Sequence, residues 1–248
     1  MKNINALLDF NDFSYIKELV RTKHSLLNMA MKKSSKSKEY IFKTFLYNCA
    51  SPKDQKIIAQ TFSEISSIKN QYIKSYNKCS FSSFEPKFNP TFSMEYISLD
   101  TLEKVIKSMD FYTKWSIADI MNCLFAVSEG MLFLHNHLIC HGNLCASNVI
   151  VDEAKQSYLI DFGLYPIKKL YIPQNEIVKK EYRDPRTNNE CPTKSNDVYS
   201  YGILVIQIFL CFKGRNQEEE IQKFIHYEET KKFDIFPKIF KEMIPRCI

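Results

Sequence analysis

The sequence predicts an α+β protein in two parts: a small β-rich lobe holding one helix, then a larger, mainly helical lobe. Three observations carry that expectation. All five glycines (Gly130, Gly142, Gly163, Gly202, Gly214) lie beyond residue 129. The first third consists of aromatic and β-branched runs of strand length around a single stretch with helical spacing. Later segments repeat apolar residues three and four apart over long runs, as helices packed on one face do.

Each element follows in order. Phe13–Val20 and Leu26–Met31 are expected to pair as strands, with Glu39–Leu46 (EYIFKTFL) a third. Ser51-Pro52 then opens a helix, with Ser51 as N-cap, Pro52 in the first turn and Asp54 near the positive end. Ile57/Ile58, Thr61/Phe62, Ile65 and Ile68 give that helix its apolar face. Tyr72–Phe81 and Pro90–Ile97 read as further strands. Ser116–His137 reads as a long amphipathic helix, and Asn148-VIV, the polar turn DEAKQ and YLI-Asp161 as a hairpin. Asp197–Phe212 is apolar on nearly all sides, as a buried helix should be; Gln217–His226 and Ile239–Cys247 read as shorter helices.

Composition narrows the function classes. Apolar residues make up 45% and charged residues 25% of the 248, ordinary values for a globular chain. The apolar run Tyr201–Phe212, 12 residues long, is too short to cross a bilayer. MKNINALLDFND lacks the apolar core of a secretory signal, so reduced thiols and a cytoplasmic setting are expected for the eight cysteines. No C-x-x-C occurs among them, which argues against zinc. Charge is uneven: residues 1–90 hold 15 Lys and Arg against 7 Asp and Glu, whereas residues 91–248 hold 19 against 21. Lys32, Lys33, Lys36 and Lys38 sit in MKKSSKSK without interleaved aromatics, which suits a solvated turn better than a nucleic-acid surface.

The chemistry-bearing segment is residues 134–164, LHNHLICHGNLCASNVIVDEAKQSYLIDFGL. His141-Gly142-Asn143-Leu144-Cys145-Ala146-Ser147-Asn148 stands where H-R-D-L-x-x-x-N would, and Asp161-Phe162-Gly163 gives D-F-G. Tyr40-Ile41-Phe42-Lys43, Met94-Glu95-Tyr96-Ile97, Tyr182-Arg183-Asp184-Pro185-Arg186 and Asp197-Val198-Tyr199-Ser200-Tyr201-Gly202 follow in matching order. On these motifs residues 13–248 resemble the eukaryotic protein kinase family. The HGN loop itself is similar to that of Janus-type pseudokinase domains.

The resemblance implies a two-lobed fold: an extension over 1–12, an N-lobe and hinge over 13–97, and a C-lobe over 98–248 that stops before its last helix. It implies that Lys43 faces the ATP phosphates, that Glu64 substitutes for the helix glutamate whose place Thr61 takes, and that Met94, Glu95 and Ile97 line the hinge. Asn148 and Asp161, 13 residues apart, would hold Mg²⁺. Asp197 would bind backbone N–H groups of the catalytic loop. Three departures weaken catalysis. Val20–Asn28 has no glycine to bring backbone N–H groups near phosphate. Ile41 adds bulk where a small residue usually roofs the purine. Asn143, a neutral amide, occupies the position of the general base. The expectation is a pseudokinase with a regulatory or scaffolding role, binding ATP and Mg²⁺ weakly if at all. The alternatives are an active atypical Ser/Thr or Tyr kinase, or a basic interaction module on a kinase-like scaffold. Protein partners, reached through the apolar end around Ile239, Phe240, Met243 and Ile244 or by self-association, are expected rather than nucleic acid or membrane.

Overall fold

A computed structural model of the chain describes residues 8–35, 38–84, 87–96, 100–187, 191–212, 244, 246 and 247. The chain divides into two units, each discontinuous in sequence. The first comprises Met1–Lys69, Lys74–Ser98 and Pro166–Ile172; the second comprises Asn70–Ile73, Leu99–Tyr165 and Pro173–Ile248.

The first unit is built on a five-stranded antiparallel sheet: β1 (Phe13–Arg21), β2 (Ser25–Lys32), β3 (Glu39–Phe45), β4 (Lys78–Ser80) and β5 (Thr91–Glu95), in the spatial order β1-β2-β3-β5-β4. Aromatic residues make its core, as the strand-forming run EYIFKTF requires. Phe42, fully buried, meets Phe13 with ring centroids 5.0 Å apart and Phe84 at 5.1 Å. Helix α1 (Pro52–Ser66) buries Ile58, Thr61, Phe62 and Ile65, the expected face. Ser51 is its N-cap residue but makes no side-chain cap bond. Asp54 in the first turn accepts a hydrogen bond from Tyr47, and that bond helps push the Tyr47 hydroxyl up to about 12.

Strand β4 is much shorter than the expected run over Tyr72–Phe81. Upstream of it, Ile73 bridges Asn70 and Leu159 instead of joining the large sheet. The lysine-rich segment is a turn between β2 and β3 at the described residues Lys33 and Ser34, and Lys38 pairs with Glu95 at 3.2 Å.

In the second unit β6 (Asp100–Thr101), β7 (Val149–Val151) and β8 (Ser157–Leu159) form a small antiparallel sheet. Around it stand α2 (Leu102–Ile106), α3 (Phe111–Lys114) and α4 (Ile117–Asn136); further along the chain α5 (Tyr165–Lys168) belongs to the first unit from Pro166 onward, and α6 (Gln174–Ile177) and α7 (Lys194–Phe212) belong to the second. Ser116 and Asp119 form a reciprocal capping box at the start of α4. By length and composition α4 is apolar enough to cross a membrane, with mean hydropathy 1.6. It instead buries Ile120, Leu124, Val127, Met131 and Leu134 and packs on β8 and α7, as a core helix does. Gly130 sits where α4 meets β8; a Cβ there would lie 2.8 Å from a Leu159 methyl carbon.

The expectation that Ile244 would be laid bare is not met. Ile244 is 1% exposed and Cys247 is also buried, with the Cys247 carbonyl accepting from Arg186 at 3.5 Å. The other residues of that end, and the helix expected over Gln217–His226, lie outside the described residues.

Candidate functional site

The first unit carries one group of the residues singled out in the sequence. Lys43 lies on β3 between Leu27 of β2 and Phe92 of β5, is 8% exposed, and holds its Nζ 6.0 Å from the centre of the Phe45 ring. Ile41, two residues earlier, is buried opposite Met29 and Met94. Met94 is half-buried, whereas Glu95 is exposed and paired with Lys38. Ile97 lies outside the described residues. On α1, Thr61 is buried while Glu64 is exposed and accepts a hydrogen bond from Gln60 at 3.2 Å.

The glycine-free turn between β1 and β2 shows what replaces a phosphate loop. The Thr22 N–H donates to the Ser25 carbonyl at 2.8 Å. The N–H groups of His24 and Ser25 donate to the Thr22 hydroxyl at 3.3 and 2.9 Å. A phosphate cradle works by aiming such donors at the ligand. Here Thr22 draws them into the turn itself, which the sequence signalled only as missing glycine.

Sequence reasoning also passed over Tyr171, which returns to this unit from far along the chain. Its ring stacks on Tyr47 with centroids 5.2 Å apart and meets Phe45 edge-on at 6.4 Å. Its hydroxyl donates to the His24 carbonyl at 3.3 Å. The residues on which Tyr171 closes therefore include the tip of the β1–β2 turn and the ring beside Lys43.

The second unit holds the catalytic-loop residues. Asp197, on α7 and 1% exposed, accepts from the His141 N–H at 2.8 Å and the Gly142 N–H at 2.9 Å. His135 Nε2 donates to the same carboxylate at 2.9 Å, which accounts for that histidine as a structural partner; the His137 ring donates to the Phe133 carbonyl at 2.8 Å. Gly142 adopts φ 73°, in the left-handed region, with Pro192 carbons 3.2 Å from where a Cβ would stand. The Gly163 N–H donates to the His141 carbonyl at 3.2 Å, tying the two motifs together.

Asn143 is partly buried on this pinned loop, and its carbonyl accepts from Asn148 Nδ2 at 2.8 Å. The Ile160 N–H donates to the Asn148 carbonyl at 3.0 Å, which ties the backbone just before Asp161 to that of Asn148. Asp161 is 6% exposed at φ 61°, a strained setting for a residue with a Cβ and a common mark of functional sites. An amide oxygen and a carboxylate are the hard donors that Mg²⁺ takes, so the pair fits that ion. No group of three or more His, Cys, Asp or Glu able to hold a metal occurs among the described residues.

Arg186, where the family usually has the glutamate of A-P-E, forks onto the buried Asp184 through two bonds of 2.9 Å. The charge arrangement at this corner is thus completed locally.

Along 208 residues the chain is 27% identical to a probable serine/threonine-protein kinase, mkcF, of Dictyostelium discoideum, covering 81% of this chain and 29% of that protein. It is 26% identical over 164 residues to guanylate cyclase 32E of Drosophila melanogaster, covering 57% of this chain and 13% of the relative. With the human tyrosine-protein kinase Srms it shares 30% identity over 105 residues, 39% of this chain and 22% of that protein. The chain therefore spans less than a third of the length of these relatives. Residues 25–247 match the family described as the protein kinase domain, and the chain belongs to that family.

Proposed function

We propose that this protein kinase domain is a pseudokinase, impaired in phosphoryl transfer and acting in the cytoplasm as a regulatory or scaffolding module for protein partners. The observation that carries this reading is Asn143. It stands at the general-base position of a loop that is otherwise formed and anchored by Asp197. An amide has no useful basicity near neutral pH, and loss of a general base costs about 10²–10⁴ in rate. The Thr22–Ser25 turn supports the same reading, since the N–H groups of Thr22, His24 and Ser25 are engaged within the turn. So does Ile41, whose side chain adds bulk to β3 where purine-binding domains keep a small residue.

The family as a whole uses ATP with Mg²⁺, and Lys43, Asn148 and Asp161 would serve that pair here. Mg²⁺ supplies neutralisation of phosphate charge when bound. Asn148 and Asp161 offer oxygen donors of the kind Mg²⁺ takes, and Lys43 offers a cation. Their retention favours a second reading, an active atypical Ser/Thr or Tyr kinase working by positioning and electrostatics alone.

Two measurements separate the readings. Incubation with radiolabelled ATP, Mg²⁺ or Mn²⁺ and a general protein substrate should give no transfer above a no-enzyme control, and Asn143→Asp alone should not restore it. Robust transfer by the unaltered chain would establish the second reading. A thermal-shift titration with ATP, with and without Mg²⁺, reports binding separately. A ligand at about 100 times its Kd stabilises a fold by about 2.7 kcal/mol.

A further inference from the structure

The first unit carries a cleft of about 330 Å³ on the sheet face that bears Asn28 and Thr44. Its construction starts in β1. Simple alternation would put Tyr15, Lys17, Leu19 and Arg21 on one side of that strand. Two bulges, with Ile16 and Leu19 as the extra residues, change this: Tyr15 faces Ala30, Glu18 faces Asn28 and Arg21 faces Leu26. Residues three apart on β1 thus share a face with residues two apart on β2. Bulges re-aim side chains and recur beside functional sites. Here they bring Tyr15, Glu18 and Arg21 to the same cleft.

The polar part of the lining is donor-biased. Glu18 and Arg21 bind each other through a bidentate contact with a shortest distance of 2.9 Å, so this charged pair is neutralised internally. Two lining residues are both polar and buried, Thr44 and Asn28. The Thr44 hydroxyl is engaged with that of Thr91 at 3.0 Å. Asn28, 5% exposed, turns its Oδ1 inward, where it has no surface open to the cleft, and leaves Nδ2 as the accessible polar atom of the side chain. That nitrogen makes no hydrogen bond to a described residue. Asn28 therefore offers the cleft two N–H donors and no acceptor. Tyr15 and Phe84 form an aromatic wall beside it, with ring centroids 5.7 Å apart and edge to face, and Leu26 and Leu46 add aliphatic surface. The volume falls at the lower end of small-molecule sites, which are mostly apolar with a few placed polar groups.

We infer that this cleft is a binding site for a small, neutral aromatic carbonyl compound, whose oxygen accepts from Asn28 Nδ2 while its ring packs on Tyr15 and Phe84. The exposed donor selects for an acceptor. A ligand that cannot accept would displace water from Nδ2 and leave its N–H groups unpaired, which is costly. Glu18 selects for neutrality, because it faces Asn28 across the ladder and a carboxylate ligand would meet a like charge there. Neither the kinase motifs nor the Asn143 loop contributes to the lining, so the inference stands apart from the proposed function.

Acetophenone and N-methylaniline are the probes, followed by backbone and side-chain amide chemical-shift titration of the full chain. The two are close in size, but the first presents a carbonyl acceptor and the second an N–H donor with a weakly accepting nitrogen. Acetophenone should give saturable shifts in β1 and β2 with a millimolar Kd and should move the Asn28 side-chain N–H signals. N-methylaniline should bind about ten-fold more weakly, a difference of about 1.4 kcal/mol. Asn28→Leu, of similar volume, should abolish that preference while the aromatic wall still holds both rings. Tyr15→Ala, at a residue 53% exposed, leaves the fold intact and should weaken both probes several-fold. No saturable shift with acetophenone, or equal binding of the two probes to the natural chain, would overturn the site. A preference for N-methylaniline would overturn it as well, by showing that the amide oxygen faces the cleft. So would an acetophenone preference that survives in Asn28→Leu.

Discussion

Asp197→Ala should be among the most damaging single changes in the second unit. The carboxylate is buried and accepts the N–H groups of His141 and Gly142 at 2.8 and 2.9 Å, with His135 adding a third donor at 2.9 Å. Alanine offers none of these donors an acceptor. Each buried N–H left unpaired costs about 1–3 kcal/mol, and breaking a buried charged network by removing one member costs about 3–5 kcal/mol. For a chain of this size each kcal/mol lowers Tm by about 2–4 °C, so a fall of roughly 10 °C is expected. Asp197→Asn keeps one acceptor oxygen and should fall between the two. Scanning calorimetry gives the Tm, and amide hydrogen exchange shows where the loss resides: the His141 and Gly142 amides should lose protection first. A Tm within about 2 °C of the natural chain, or unchanged protection at those two amides, would refute the anchoring argument.

Restoring the family's loop by Gly142→Arg with Asn143→Asp should lower Tm rather than create a kinase, because a side chain is strained at φ 73° and its Cβ would press on Pro192 carbons at 3.2 Å; chemical denaturation alongside the transfer assay checks both halves. Asp119 has its carboxyl pulled down to about 2, first by the Lys155 hydrogen bond and then by the Ser116 N–H. Its contribution is therefore present above the ordinary carboxylate range near pH 4 and is lost as pH falls towards about 2. Asp119→Asn should remove that acid-range dependence and, by weakening the capping box, cost about 1 kcal/mol at neutral pH, read from urea midpoints. Cys191 is the one exposed thiol among the eight, while burial raises Cys49 to about 11 and Cys79 and Cys211 to about 12; alkylation at pH 8 should modify Cys191 first and spare those three until the chain unfolds.

What the sequence made legible followed physical periodicity. The helix of Ile120, Leu124 and Met131 stands where its spacing put it, as does the hairpin around DEAKQ, whose turn is held by Asp152 and by Lys155 at φ 62°. Motif order located the loop that Asp197 anchors, because each motif residue answers a local geometric need. Contacts made at long range left no such trace. Nothing in YPIKKLYIP marks Tyr171 as the partner of Tyr47. The two bulges of β1 depend on pairing with β2, so FSYIKELVR alone could not show that Tyr15, Glu18 and Arg21 share a face. Tyr72–Tyr76 carries strand-like residues, yet Ile73 is drawn to Leu159, and tertiary pairing overrides propensity there.

The place of Pro166–Ile172 in the first unit sets an order of events during synthesis. A ribosome that has completed Ser98 has made the whole five-stranded sheet but not the ring of Tyr171 that covers Phe45 and Tyr47. At about 5–20 residues per second the intervening chain takes roughly 4–15 s to appear. During that interval two aromatic side chains lack their final neighbour. The earlier-made of the two units is thus completed only after the whole of the second unit's sheet and α4 have been synthesised, so nascent-chain chaperones meet it first without that aromatic cover.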